Sequence, residues 1–96
     1  MTASAHNYPT PLDLSLEELW VVHAALLSDA ERTVDDGDDP QQALSLLARL
    51  EDDDTFERDE LAFFARVLRD YADGRAPSRD RRPARSVIDD IETALA

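Results

Sequence analysis

The stretch SLEELWVVHAALLSDA, residues 15–30, decides the fold class. Ser15 followed by Glu18 is a capping box, in which each side chain satisfies an orphan backbone N–H of the other. Leu14 and Leu19 stand where a hydrophobic staple closes. Leu16, Leu19, Trp20, His23, Leu26, Leu27 and Ala30 then recur at three- and four-residue spacing, one face of a helix. The pattern predicts a helix running to about Asp36, with Gly37 suited to the C-terminal cap.

Working outward toward the C-terminus, Asp39-Pro40 restarts the chain as an N-cap with proline at the first helical position, and Gln42 completes a second capping box. Ala43, Leu44, Leu47 and Leu50, widened by Leu46 and Ala48, mark that helix's buried stripe. The four-acid run Glu51 to Asp54 suits the start of a helix better than its end. Thr55 or Asp54 is expected to cap a third helix with Phe56, Leu61, Phe64, Val67, Leu68 and Tyr71 inward, Phe63 flanking and Gly74 at its end. Arg75 to Arg82 reads as a loop. Pro83 is placed to open a short last helix striped by Val87, Ile88, Ile91 and Leu95. No segment alternates with period two, so the expectation is an all-α four-helix bundle built from two helical hairpins, residues 15–51 and 55–96, in long-short-long-short order. Matches at offsets of 42 to 44 suggest a duplicated hairpin: Leu26 with Leu68, Ala30 with Ala72, Pro40 with Pro83, Leu44 with Ile88, Leu47 with Ile91. On the N-terminal side, Pro9 and Pro11 block early helix formation, and residues 1–14 read as a flexible arm.

The chain has 96 residues, 43% of them apolar, enough for one modest core. Twenty-two acidic residues against ten basic ones give a formal net charge of −12, and every basic residue is an arginine. In ordinary salt so small a chain repels itself. In molar salt the screening length falls to about 3 Å and short carboxylates keep the surface hydrated. The composition therefore predicts a halophilic cytoplasm and explains the acidity without invoking a basic partner. Cysteine is absent, which excludes disulfides, thiolate chemistry and cysteine-held zinc. No apolar run approaches the roughly 20 residues that span a bilayer, and Met1 to Leu12 lacks the pattern of a secretory signal. No membrane association is expected.

The Leu16-to-Leu27 helix, the Asp-rich breaks and the stretch RDYADGRAPSRDRRP, residues 69–83, together resemble a class of small acidic haloarchaeal proteins of uncharacterised function. The resemblance spans most of the chain but is one of style and composition. It implies a cytoplasmic helical protein and supplies no catalytic residues to transfer.

Catalytic and metal chemistry find little support. His6 lies in the arm, and His23 falls within an apolar stripe, where a boundary histidine is the commoner reading than a general base. The six serines have no glycine-flanked elbow, and Gly37 and Gly74 are too few for a phosphate loop. Asp35 to Asp39 places Gly37 as an EF-hand's sixth residue only if Arg32 and Val34 supply ligands, which they cannot. Asp52-Asp53-Asp54 has no closing glutamate, and the Glu-x-x-His spacing of di-iron bundles is missing. Both acid runs read as solvated helix ends. No enzyme, metal or cofactor is expected.

The sharpest anomaly is Arg75, Arg79, Arg81, Arg82 and Arg85, half of all basic residues within eleven positions. They read either as a solvated loop pairing with Asp73, Asp89 and Asp90 or as a docking patch for phosphate or an acidic surface. A helix-turn-helix reader is disfavoured, because its recognition helix would begin with three aspartates and repel phosphates. Trp20, Phe63 and Tyr8 cannot all be buried on so small a bundle; a lone tryptophan is more often core, and a left-over aromatic beside leucines marks a partner or self-association surface. The expected function is a non-enzymatic protein-interaction or adaptor module, with Trp20 and the five arginines as partner-binding residues and a homodimer as one form. A regulator touching nucleic acid or phosphate through residues 75–85 is the alternative.

Overall fold

The computed structural model describes residues 10–52 and 55–96. In chain order these form strand β1 (Thr10–Pro11), helix α1 (Leu16–Asp35), helix α2 (Gln41–Leu50), strand β2 (Thr55–Phe56), helix α3 (Arg58–Asp73) and helix α4 (Ser78–Leu95). The chain is an all-α bundle of two hairpins, α1–α2 and α3–α4. The most extensive packing is between α3 and α4, and α1 touches all three other helices.

The start of α1 follows the expected chemistry. The Glu18 N–H donates to Ser15 Oγ at 3.1 Å, and the Ser15 N–H donates to Glu18 Oε1 at 2.9 Å. The helix ends in a Schellman turn: the Gly37 N–H donates to the Val34 carbonyl and the Asp38 N–H to the Thr33 carbonyl, each at 2.9 Å. Gly37 has φ +84°, a left-handed value that a side chain resists, so glycine is needed there. At the start of α2 the Asp39 carboxylate accepts the Gln41 N–H at 3.1 Å, but Pro40 is the N-cap and the expected capping box with Gln42 is not formed.

The segment before α1 is not loose from Thr10 onward. Thr10 pairs with Phe56 and Pro11 with Thr55 in a two-residue antiparallel clasp, and Leu12 is buried beneath it. The reason is the apolar cover that the link between hairpins needs over Phe56, which is 1% exposed. The rest of the arm, with His6 and Tyr8, lies outside the described residues, as do Asp53 and Asp54.

Three helical expectations are corrected. Thr55 and Phe56 belong to β2, and α3 is opened instead by Glu57, whose N–H donates to Glu60 Oε1 at 2.8 Å. Helix α4 begins at Ser78, so the order is long-short-long-long. Pro77 precedes that helix and Pro83 stands inside it, with its ring buried beside Ala84. Pro83 leaves the Arg79 carbonyl without its helical donor. The burial of its ring against the core offsets that loss. Leu44 is exposed, and the buried stripe of α2 is Ala43, Leu46, Leu47 and Leu50.

The duplication match therefore holds only in part. Leu26 and Leu68 are both fully buried, as are Ala30 with Ala72 and Leu47 with Ile91. Pro40 and Pro83 occupy different helical positions, and Leu44 faces solvent where Ile88 is buried.

Phe56 and Phe64 anchor the core edge-to-face, with ring centroids 5.0 Å apart at 90°. Arg49 covers the Phe56 ring at 5.3 Å and pairs with Glu60, so one arginine joins the end of α2 to the start of α3. Arg32 does the same between α1 and α3. It donates to Asp29 Oδ1 at 2.8 Å and reaches Asp70 Oδ2 at 3.5 Å. Asp29, the one buried charged residue among those described, is neutralised by that contact. The Asp29 hydrogen bond in turn holds the Arg32 guanidinium above its ordinary pKa.

Candidate interaction surface

The buried face of α1 is Val21, Val22, Ala25, Leu26, Asp29 and Ala30. At about 100° per residue, it is rotated by roughly a quarter turn from the face that spacing alone suggests. Leu26 and Ala30 belong to both. Leu16, Trp20, Leu27 and Val34 do not, and they are 71%, 64%, 44% and 57% exposed. On the helical wheel these four fall within a narrow arc, with His23 at its edge, so α1 carries a second apolar stripe that no other element covers among the described residues. The His23 ring lies edge-on to Trp20, with centroids 5.9 Å apart. Trp20 is thus a surface residue, and Phe63, 8% exposed under the Arg66 guanidinium at 5.0 Å, is a core one.

The five arginines are all exposed. Because α4 starts at Ser78, four of them stand on a helix. Arg79, Arg82 and Arg85 share its outer side by their three-residue spacing, with Arg81 four residues before Arg85 at one edge, and Arg79 stands 3.9 Å from Asp80. Arg85 pairs with Asp73 at 3.5 Å. Arg75 remains in the loop and donates to Ser28 Oγ on α1 at 3.4 Å. Arg81 and Arg82 have no carboxylate within ion-pair distance among the described residues.

Trp20 and the arginines are on different sides. Ser86 of α4 donates to Glu18 at 2.9 Å, and Arg75 meets Ser28. Helix α4 therefore runs antiparallel to α1 along its Glu18 and Ser28 side. Those residues stand about 160° and 80° round the helix from Trp20. The Glu18 carboxyl is held below its ordinary value of 4.5, first by the Ser15 backbone N–H and also by the Ser86 and Ser15 hydroxyls. No contact joins Trp20 to the arginines among the described residues.

Concave features are small and charged. A cleft of about 200 Å³ between α1 and α3 is lined by Ser28, Asp29, Arg32, Asp70, Tyr71 and Arg75 among others. Its arginines already contact Asp29, Asp70 and Ser28. The Tyr71 hydroxyl donates to Asp80 at 2.8 Å, and its pKa is pushed up to about 12, chiefly by burial and then by that bond. A shallower groove of about 430 Å³ beside the clasp is lined by Leu12, Leu14, Leu19, Leu50 and Phe56 with Asp13, Glu51 and Asp52 at its edge. Among the described residues, no three His, Asp or Glu side chains converge as metal ligands do, and no helix is long and apolar enough to cross a membrane.

Residues 12–92 match a protein family of unknown function, DUF7853. The chain belongs to that family. The DUF7853 match begins at Leu12, the first buried residue of the clasp, and takes in both the α1 stripe and the arginine-bearing half of α4. No curated protein and no solved structure matches the chain.

Proposed function

We propose that this DUF7853 protein is a non-enzymatic helical interaction module of a halophilic cytoplasm, and that it docks a protein partner on the outer face of α1. One observation carries the reading: Leu16, Trp20, Leu27 and Val34 lie in a single exposed line on a helix whose opposite side already builds the core. Exposed apolar lines of this kind mark protein contacts, and tryptophan is enriched where such contacts are strongest. The test is capture by cross-linking from the native lysate in high salt, with the intact chain and with the double variant Trp20→Ser/Leu27→Ser. A stoichiometric partner lost in the double variant, with helical content unchanged, is expected. Capture that ignores the double substitution counts against this face.

The halophilic part rests on the net charge of −12. The melting temperature is expected to rise with molar potassium chloride at neutral pH, and far less at low pH, where the surplus carboxylates are protonated. A flat or falling profile at neutral pH refutes it.

The second reading, contact with nucleic acid through α4, is favoured by Arg81 and Arg82, which face solvent without carboxylate partners. Binding through Arg81, Arg82 and Arg85 should weaken with salt, with a logarithmic slope of about −3 on duplex DNA. No binding even at low salt removes this reading.

A further inference from the structure

The outer face of α1 is charged as well as apolar, and the apolar stripe and its flanking acids together define the occupant; this inference rests on the docking role proposed above. Leu16, Trp20, His23, Leu27 and Val34 are spaced four, three, four and seven residues apart, the spacing of a coiled-coil seam with buried Ala30 at the remaining position. The eighteen helical steps from Leu16 to Val34 make that seam on the order of 27 Å long. Its two margins differ. One margin, Leu19, Leu26 and Ala30, turns down into the bundle, where Leu26 is fully buried. The other carries Glu17, Glu31 and Asp35, all exposed, on either side of half-buried Ala24. None of these three acids makes an ion pair or a side-chain hydrogen bond among the described residues.

We infer that the face takes an amphipathic helix of a partner protein, whose apolar seam covers Trp20 and Leu27 and whose flanking Lys or Arg residues meet Glu17, Glu31 and Asp35. Charges beside a helical seam choose the partner in this way. A second copy of the chain fits less well. Two antiparallel α1 helices in register set Glu17 of each against Glu31 of the other, and each copy brings a net charge of −12.

The probe is a 21-residue designed peptide with leucine at its seam positions and lysine on its flanks. Its controls are the same peptide with glutamate flanks and a scrambled lysine peptide of identical charge. Binding to the full chain is followed by calorimetry and by the emission of Trp20, the single tryptophan. The lysine peptide is expected to bind one to one with a blue shift, at least about tenfold more tightly than either control. Trp20→Ser/Leu27→Ser, read by calorimetry, should cost about tenfold or more. Glu17→Gln/Glu31→Gln should cost roughly threefold to tenfold at low salt and little in molar salt. Equal binding of either control, indifference to these substitutions, or no binding at all overturns the inference. Dimerisation of the protein alone that depends on Trp20 and Leu27, measured by sedimentation, also overturns it and gives the face to a second copy. If the lysine peptide fails while the stripe still captures a lysate partner, the partner's chemistry is wrong and the docking role stands. If both fail, the docking role falls as well.

Discussion

Hairpin α1–α2 leaves Leu16, Trp20, Leu27, Val34 and Leu44 exposed, whereas hairpin α3–α4 exposes no large apolar side chain among the described residues. Their charges differ as strongly. Helix α1 has Glu17 and Glu18 in its first turn, as its dipole favours, but Asp35 as well as Arg32 in its last. Helix α4 has Arg79, Arg81 and Arg82 near its start and Asp89, Asp90 and Glu92 toward its end, which opposes its dipole. The second hairpin is thus apolar only where it is buried and tolerates poor local electrostatics, because its packing holds it. The first has favourable electrostatics at the start of α1 and an apolar face left over. Local rules broken without a stabilising return are expected at sites of function, and each hairpin breaks a different one.

The comparison is most sharply broken at two adjacent leucines. Leu26 is 0% exposed and Leu27 is 44% exposed. Leu26→Ala is expected to destabilise by about 2–5 kcal/mol and Leu27→Ala by about 0.5 kcal/mol or less, both read from urea unfolding. Equal costs would show that α1 is turned differently from the arrangement described.

The join between the hairpins comes next. Arg32→Met leaves the buried Asp29 carboxylate without its cation, and a loss of about 1–3 kcal/mol is expected in the same assay. A neutral outcome would mean that Asp29 is hydrated and α1 stands further from α3.

Tyr71 tests the second hairpin alone. Its hydroxyl stays protonated up to about 12 in the folded chain, against an ordinary value of 10.0. The folded state therefore keeps a proton that the unfolded chain releases. The stability from this group is full below pH 10 and is lost as pH rises from 10 through 12. Tyr71→Phe should cost about 1 kcal/mol at neutral pH by removing the bond to Asp80, and should flatten that alkaline decline. An unaltered decline in the variant places its origin elsewhere.

The smallest effect carries the opposite sign. Arg81→Glu places an acid where the α4 dipole favours one, so stability should increase by about 0.3–1 kcal/mol at low salt. A decrease would show that Arg81 has a structural role in the fold. A gain in stability with loss of nucleic-acid binding would tie the unfavourable arginine to function.

Much of the architecture was legible because capping is local. Ser15 with Glu18, Gly37 and Asp39 act within a few residues of themselves, and each behaves in the fold as its neighbours along the chain require. The start of α4 was not legible. Pro83 looks like a helix opener to any local reading, and only the packing of its ring beside Ala84 keeps it inside a helix that Pro77 precedes. Phe56 was read as helical because its spacing to Leu61 and Phe64 fits a helix. Its place in the clasp depends on Thr10 and Pro11, far away in sequence.

The sequence by itself determined four amphipathic helices, their two-hairpin order and a surface dominated by carboxylates, since periodicity, caps and composition are properties of short stretches or of the whole chain. Which side of α1 faces the core was decided only by the tertiary structure. Apolar residues nearly encircle that helix, so two stripes compete, and Asp29 disguises the one that is buried. Arg32, drawn between Asp29 and Asp70 of α3, makes a charged residue acceptable inside. That pairing joins residues 38 positions apart, and with Val21, Val22, Ala25 and Leu26 taken into the core Trp20 is left facing the solvent.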